Sequence, residues 1–364
     1  MLAVGAMALT GCSNFFTKPT DSGGGGGTGS TSNLAYTVNS LTNTVSGFQV
    51  GTATLTNAPN MPYSLGFTPQ AAVVTIPNTY LYVAGPGAIY GYVVGSDGSL
   101  TLPANGAAQV VGFVLSMDVT PDGNWLIALD GSTTQLDIYQ INKTTGGLAL
   151  TNTAPYSVTT QGIRPKMVKV SPNGSLLFAA LGSNGEAVFS FNTTTGVATQ
   201  TQSLGVSTQT SDNAVAIDST GTHLYVARSG SGAGLAVYTI GAAGKLDSVA
   251  GSPFAAGAQP LAVAFDTSGT YAYVANGSDA TVSGFTVVNG VATLLASSPF
   301  ASGQSVQSLT LDKSGKYLLS AAQGGSPDVT MYSFDTTTAG KLVQAATAAA
   351  GSSPAGTLMV VATH

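Results

Sequence analysis

The chain has 364 residues, of which 43% are hydrophobic and only 7% are charged. Soluble domains usually carry about 25% charged residues, so most of the polar surface must come from Thr, Ser, Asn, Gln and Gly. A formal net charge of −5 with ten basic residues argues against nucleic-acid binding, which needs clustered Lys and Arg. No apolar run reaches the roughly 18 residues that a membrane-spanning helix requires.

The first twelve residues have the pattern of an export signal. The apolar run from Leu2 leads into Leu9-Thr-Gly-Cys12, which resembles a bacterial lipobox, where the cysteine is lipidated on its thiol. Cys12 is the only cysteine of the chain. Because no basic residue precedes the apolar run, we expect the natural start to lie upstream. The sequence predicts an exported protein that a lipid on Cys12 holds in the bacterial cell envelope, on the periplasmic side or the cell surface.

Residues 13–32 are predicted to be a flexible tether. Gly23 to Gly27 are consecutive glycines, and Thr-Gly-Ser-Thr-Ser follows them. Segments of this composition behave as random coils, and twenty such residues reach on the order of 25 Å. We therefore place the folded domain at residues 33–364.

The rest of the chain repeats one unit with a period of about 47 residues. Leu34-Ala-Tyr-Thr-Val-Asn39 corresponds to Tyr271-Ala-Tyr-Val-Ala-Asn276, and Thr-Val-Ser-Gly-Phe follows in both copies. Each unit alternates between apolar and polar residues as four short strands do, with turn residues at the boundaries. Repeated four-stranded units are typical of a β-propeller. The same strand recurs in copies that begin at Tyr80, Trp125, Leu176, His223 and Tyr317.

The two ends of the repeat region predict how the ring closes. The first copy lacks its first strand, whereas Thr357–Ala362 is a lone apolar strand with no unit after it. If this strand completes the first blade, no open sheet edge is left at the ring closure. We predict an all-β, seven-bladed propeller of four-stranded antiparallel blades, closed by the C-terminal strand and monomeric.

Two copies of a second motif, together with the repeated unit, resemble a known protein family. Ser252-Pro-Phe-Ala-Ala-Gly257 and Ser298-Pro-Phe-Ala-Ser-Gly303 accompany the repeated unit D-x-x-G-x-x-L-Y-V-A. Together they resemble the bacterial 6-phosphogluconolactonase-like lactonases, which are seven-bladed propellers, over residues 33–364. The resemblance implies lactone hydrolysis by His, Glu and Arg side chains at the mouth of the channel. This chain has one Glu, two Arg and two His, and no catalytic motif of the family can be placed residue by residue.

We call the four strands of each blade A to D in order from the channel outward. The rare charged residues are predicted to share one face of the propeller, where the B–C loops and the crossings from strand D to the next blade lie. Arg164 precedes blade 4, Glu186 lies in the B–C loop of blade 4, and Arg228 follows strand B of blade 5. Asp130 is the equivalent of Arg228 in blade 3, and Asp212 lies in the crossing into blade 5. Arg presents a planar fork to carboxylates and phosphates, and Glu186 is a candidate general base. The structural alternative is a surface cluster of ion pairs that joins loops.

The remaining polar features of the sequence are weaker candidates for a functional site. Asp118 and Lys169 lie in channel-lining strands and are predicted to form an ion pair between neighbouring blades. Gly230-Ser-Gly-Ala-Gly234 joins two strands and opens no helix, so it is not a dinucleotide site. No His, Cys, Asp and Glu residues have metal-ligand spacing. We expect neither a metal nor a cofactor.

Two classes of function stay open. The first is a lipid-anchored binding or scaffold module whose loop face holds a small acidic or sugar-like ligand or a protein partner. The second is a lactone hydrolase in which Glu186 is the base while Arg164 and Arg228 hold an acidic substrate. The scarcity of titratable groups favours the first.

Overall fold

The computed structural model describes residues 30, 32–103, 108–157 and 165–364. These residues form seven antiparallel sheets, each with four main strands, around a central channel lined by strands of all seven sheets. The predicted all-β, seven-bladed propeller is confirmed. Within the described ranges, helix is limited to one 3-10 turn at Ala242–Gly244.

The first three blades follow the chain in order. Blade 1 contains β1 (Leu34–Asn39), β2 (Thr44–Gly51), β3 (Thr54–Asn57) and the short β4 (Tyr63–Ser64) beside β2. Blade 2 contains β5 (Ala71–Val74), β6 (Tyr80–Gly85), β7 (Ala88–Val94), β8 (Leu100–Thr101) and β9 (Ala108–Val110). Blade 3 contains β10 (Val114–Val119), β11 (Trp125–Asp130), β12 (Gln135–Ile141) and β13 (Leu148–Pro155).

The remaining blades repeat the same order, with the first strand at the channel. Blade 4 contains β14 (Met167–Val170), β15 (Leu176–Ala180), β16 (Glu186–Asn192) and β17 (Val197–Leu204). Blade 5 contains β18 (Thr210–Ile217), β19 (His223–Gly230), β20 (Gly234–Ile240) and β21 (Leu246–Ser248). Blade 6 contains β22 (Pro260–Phe265), β23 (Tyr271–Asn276), β24 (Thr281–Val288), β25 (Val291–Leu294) and β26 (Phe300–Ala301). Blade 7 contains β27 (Gln304–Leu311), β28 (Tyr317–Gly325), β29 (Val329–Phe334) and β30 (Leu342–Ala348).

The ring closes through the last strand. β31 (Thr357–Ala362) pairs antiparallel with β1, from Ala35 opposite Ala362 to Asn39 opposite Thr357. Blade 1 therefore takes its innermost strand from the far end of the sequence, as predicted. This pairing satisfies the backbone groups that an open ring would leave unpaired.

The hydrophobic core lies between the blades, because each sheet packs one face on the next sheet. Trp125 and Leu136 of blade 3, for example, share a cluster with Leu177 and Phe189 of blade 4. Three fully buried tyrosines of strand B also donate their hydroxyls to carbonyls in the outer hairpin of the next blade. These bonds run from Tyr36 to Gly98 (3.0 Å), Tyr82 to Gly146 (2.9 Å) and Tyr273 to Gly340 (2.8 Å).

The central channel is a mainly apolar cavity with one ion pair on its wall. The Nζ of Lys169 lies 3.4 Å from Oδ1 of Asp118, and Oδ2 of Asp118 accepts the N–H of Val170 at 2.9 Å. The predicted pair between blades 3 and 4 is therefore present. Because the Lys169 side chain is 41% exposed, the pair falls in the class of ion pairs that contribute about 0–1 kcal/mol.

Candidate functional site

The structure brings Glu186, Asp212 and Arg228 together at the loop end of blades 4 and 5. Glu186 is the first residue of β16 and pairs with Ala180, whereas Asp212 and Arg228 face each other in β18 and β19. The predictions that Glu186 lies in a loop, that Asp212 lies in a crossing and that Arg228 follows its strand were wrong by a few residues. The reason is additional pairing: Glu186 also pairs with Leu204, and Arg228 also pairs with Gly234. In addition, the amide and carbonyl of Asp212 bond to those of Gly182 at 3.1 Å. This bridge extends the sheet edge toward the loop face.

A tight turn before β16 directs Glu186 into the protein. The N–H of Leu181 donates to the carbonyl of Gly185 at 2.7 Å. Gly185 has a φ of +75°, and a Cβ atom at this residue would clash with the carbonyl oxygen of Leu204. Glycine is therefore required here, because other residues adopt this φ at a cost and would also collide with β17.

Arg228 and Asp212 form a bidentate ion pair. The guanidinium donates from Nε to Oδ1 at 2.6 Å and from Nη2 to Oδ2 at 2.8 Å, and Nη2 also donates to the hydroxyl of Tyr238 at 2.7 Å. Asp212 is fully buried and the Arg228 side chain is 13% exposed. Burial alone would lower the pKa of Arg228, but the hydrogen bonds and the charge of Asp212 outweigh it and raise that pKa. The pair is thus a fixed, mutually neutralised unit.

Glu186 lies beside this pair without a hydrogen-bond donor of its own. Its Oε1 is 3.7 Å from Nη2 of Arg228, and as a carboxylate neither oxygen has a partner among the described residues. Burial first, and then the hydrogen bond and charge of Asp212, raise the pKa of Glu186 well above its ordinary value of 4.5, while Arg228 lowers it less. The raised pKa favours the protonated form of Glu186 to higher pH than in an exposed glutamate. With Glu186 protonated, the three groups together are electrically neutral.

An open cleft on the loop face lies next to this cluster. Ser211 and Ser229, the neighbours of Asp212 and Arg228 along the chain, both line it. Its described lining offers one cation, hydroxyl groups, an amide and backbone groups, and no carboxylate. The lining residues are Lys166, Gly182, Ser183, Thr208, Gln209, Thr210, Ser211, Ser229 and Gly230. Such a surface suits a small anionic ligand that is rich in hydroxyl groups.

The other predicted site residues do not join this cluster. Asp130, at the end of β11, accepts bonds from the N–H of Phe113 (3.1 Å) and from the N–H and hydroxyl of Ser132 (both 2.6 Å). Burial would raise the pKa of Asp130, but these hydrogen bonds outweigh it and lower that pKa. Its bonds hold a loop of its own blade. Arg164 and Cys12 lie outside the described residues.

Sequence analysis missed Tyr238 and Lys166. An aromatic residue stands at the position of Tyr238 in the third strand of every blade, so the pattern indicates only a core residue. The contact of its hydroxyl with Arg228 depends on packing that the pattern does not contain. Lys166 precedes β14 and follows Arg164 by two residues. Its place in a crossing was the signal that sequence analysis could have used. The equivalent aromatic residues are Phe48, Tyr92, Tyr139, Phe189, Phe285 and Tyr332.

Among the described residues, no three His, Cys, Asp or Glu side chains lie close enough together to hold a metal ion. In the same ranges, no helix has the length and hydropathy to cross a membrane.

Comparison with known proteins gives one family and several related structures. The sequence matches the family described as "Lactonase, 7-bladed beta-propeller" over residues 29–159 and 187–299. No curated protein matches it. The periplasmic gluconolactonase of Pseudomonas aeruginosa is similar in structure, with 14% identity, a TM-score of 0.73 and coverage of 92% of this chain and 99% of the other. A Bacteroides uniformis protein, provisionally named a 6-phosphogluconolactonase, has 16% identity, a TM-score of 0.74 and coverage of 91% and 99%.

The propeller alone does not define an activity. Hydrazine synthase of Kuenenia stuttgartiensis also shares it, with 16% identity, a TM-score of 0.61 and coverage of 81% of this chain and 90% of the other. Identities this low show a common fold, and function has to be argued from the site. The sequence match spans more than half of the chain, however, and it shows that the chain belongs to the seven-bladed β-propeller lactonase family.

Proposed function

We propose that the chain is a binding protein of this family that takes a small hydroxylated anion, such as a sugar acid, in the cleft between blades 4 and 5. The composition of the cleft carries the proposal: Lys166 is the cation of the lining, and hydroxyl and amide groups surround it. Lysine attracts an anion, and the Ser and Thr hydroxyls exchange hydrogen bonds with ligand hydroxyls.

Binding without turnover fits the state of the neighbouring charged groups. A general base has to be ionised and within reach of water, whereas Glu186 is fully buried and its raised pKa favours the protonated form. Arg228 is already held by Asp212 and Tyr238. Glu186 and Arg228 therefore stabilise the structure around the cleft.

Calorimetric titration with gluconate and with glucose tests this proposal. We expect wild type to bind gluconate more tightly than the uncharged glucose. Lys166→Met should weaken gluconate binding about tenfold or more, which is the worth of one hydrogen bond to a charged group. Lys245→Met is the matched control, because Lys245 lies on the opposite face and pairs with Asp247 at 2.7 Å. Equal affinity for the two sugars, or no effect of Lys166→Met, would exclude this cleft as the site.

The second candidate function is lactone hydrolysis, which the family match favours. Glu186 would act as the base on water, and Arg164 and Arg228 would hold the acidic substrate. A pH-stat assay with glucono-δ-lactone and simple aliphatic lactones measures turnover above the spontaneous rate. Glu186→Gln should lower that turnover by about 10²–10⁴-fold, as loss of a general base implies. A wild-type rate equal to the spontaneous rate would exclude hydrolysis of these lactones.

We also propose that a lipid on Cys12 anchors the protein in the cell envelope. The lipobox-like Leu9-Thr-Gly-Cys12 and the glycine-rich residues after it support this. Expressed from an upstream start, wild type should partition with membranes and Cys12→Ser should not. Membrane association that persists in Cys12→Ser would contradict the anchor. The lipid is the proposed contact with the membrane.

We also propose that the folded domain is a monomer. Size-exclusion chromatography measures its oligomeric state.

A further inference from the structure

Glu186 occupies a position that is apolar in every other blade. It is the partner of the last residue of the repeated Leu-Tyr-Val-Ala strand, which in blade 4 is Ala180. In the six other blades the equivalent partner is a Val, Ile or Leu that is at most 1% exposed. These residues are Val45, Ile89, Leu136, Leu235, Val282 and Val329. Packing alone would thus place an aliphatic side chain here, and the acid needs another reason.

The groups that face Glu186 come from three strands of the neighbouring blade. Asp212 of β18 takes two donors of Arg228 of β19 at 2.6 and 2.8 Å, and Tyr238 of β20 accepts a third bond from the same guanidinium. Glu186 is left at 3.7 Å from Nη2. One guanidinium carries a single positive charge and neutralises only one of two buried carboxylates, and a buried carboxylate without a compensating charge is costly. The arrangement therefore favours a proton on Glu186.

Glu186 is connected to the cleft through Asp212 and Arg228. The backbone of Asp212 is bonded to Gly182 on both sides at 3.1 Å, and Gly182 is part of the cleft lining. The neighbours of Asp212 and Arg228, namely Ser211 and Ser229, line the cleft as well. These bonds and neighbours connect the buried cluster to the surface that would contact a ligand.

We propose that Glu186 is a proton-binding group that couples anion binding in the cleft to pH; this inference rests on the proposed function. With Glu186 neutral, the buried cluster has no net charge and Lys166 dominates the field in the cleft. When Glu186 ionises, a negative charge appears in the buried cluster, repels the anion and competes with Asp212 for Arg228. Affinity for an anion therefore falls as pH rises, by up to about tenfold per pH unit for one coupled proton.

Calorimetry with gluconate over a series of pH values tests the coupling. Wild type should bind gluconate with constant affinity while Glu186 keeps its proton, and should lose affinity as pH rises through the pKa of Glu186. Glu186→Gln, which cannot titrate, and Glu186→Leu, which restores the residue type of the other blades, should both remove the pH dependence. Asp137→Asn is the matched control, because Asp137 is a buried acid of blade 3 whose pKa is raised by burial. It should leave the pH dependence of gluconate binding as in wild type.

Infrared spectroscopy provides a readout that needs no ligand. Wild type at neutral pH should show a protonated carboxylic acid band that disappears in Glu186→Gln and persists in Asp137→Asn. Thermal unfolding shows which variants are folded, and Glu186→Leu replaces Glu186→Gln if the latter is not. Gluconate binding that is independent of pH in wild type, or absence of the band, overturns the coupling while the proposed function stands. No gluconate binding at any pH overturns both, and the band then reports only the proton on Glu186.

Discussion

Two buried acidic side chains at the loop end of the propeller differ in their hydrogen-bond partners. Asp328, just before β29 in blade 7, and Glu186, at the start of β16 in blade 4, are both 0% exposed. Asp328 accepts bonds from the N–H groups of Ala350 (2.9 Å) and Ala355 (3.2 Å) and from the hydroxyl of Ser353 (3.4 Å). Glu186 has no such donors. The two buried carboxyl groups therefore differ in the hydrogen-bond donors that surround them, not in their burial.

The partners of Asp328 explain its structural role. All three belong to the crossing between β30 and β31, which delivers the closing strand to blade 1. Asn39 of blade 1 adds a bond to the carbonyl of Ala350 at 3.3 Å. The corner between blades 7 and 1 is therefore a satisfied network that supports ring closure, whereas the corner between blades 4 and 5 has one carboxyl group more than its guanidinium can pair.

The largest effect is expected from removing the closing strand itself. Deletion of residues 357–364 takes away every pairing between β31 and β1 and leaves sheet edges open on both sides of the gap. We expect loss of cooperative unfolding or aggregation, measured by circular dichroism melting and size-exclusion chromatography. A truncated protein that melts like the parent would show that blade 1 does not need this strand.

The next largest effect is expected in the charged corner. Arg228→Met leaves Asp212 buried without its two bonds from the guanidinium, and breaking a buried ion pair in this way costs about 3–5 kcal/mol. Urea unfolding at neutral pH measures the loss. Glu186→Gln is the comparison, because it leaves the pair of Arg228 and Asp212 in place and should cost much less. Equal losses in the two variants would mean that Glu186, not Asp212, is the main partner of Arg228.

A smaller loss is expected in the satisfied corner. Asp328→Ala leaves the N–H groups of Ala350 and Ala355 without their acceptor, and buried donors that lose their partner cost about 1–3 kcal/mol each. Asp328→Asn keeps one acceptor oxygen and should lose about half as much. The free energy of unfolding in urea decides this, and a harmless Asp328→Ala would show that water replaces the carboxylate.

The repeats made the fold predictable, because alternation, turn residues and the lone strand Thr357–Ala362 are all local or periodic signals. The same signals placed Glu186, Asp212 and Arg228 on one face. Their burial and pairing were not predictable, because these depend on the bridge between Gly182 and Asp212 and on the inward turn at Gly185. Aligning the third strands would have shown Glu186 among six aliphatic residues, which is a sequence signal for a buried acid.

The smallest effect is expected for Glu186→Leu, and its dependence on pH sharpens the comparison. At acidic pH, below the ordinary value of 4.5, Glu186 is protonated in both the folded and the unfolded chain and contributes no dependence on pH. Above it, the unfolded chain releases this proton while the folded chain retains it, because the pKa of Glu186 is raised in the folded state. The contribution of Glu186 to wild-type stability therefore falls with rising pH, by at most about 1.4 kcal/mol per unit, until the folded pKa is passed.

Glu186→Leu has no titrating group at this position, so it lacks the loss of stability with rising pH that Glu186 causes. At acidic pH it exchanges a bond to Asp212 for apolar burial, and we expect it to match wild type within about 1 kcal/mol. As pH rises, its advantage over wild type should grow. Urea unfolding of both proteins over a pH series measures the difference, with the exposed Asp247→Asn as a control that should follow wild type throughout. A difference that stays constant with pH would mean that Glu186 is ionised in the folded protein, as in a surface ion pair.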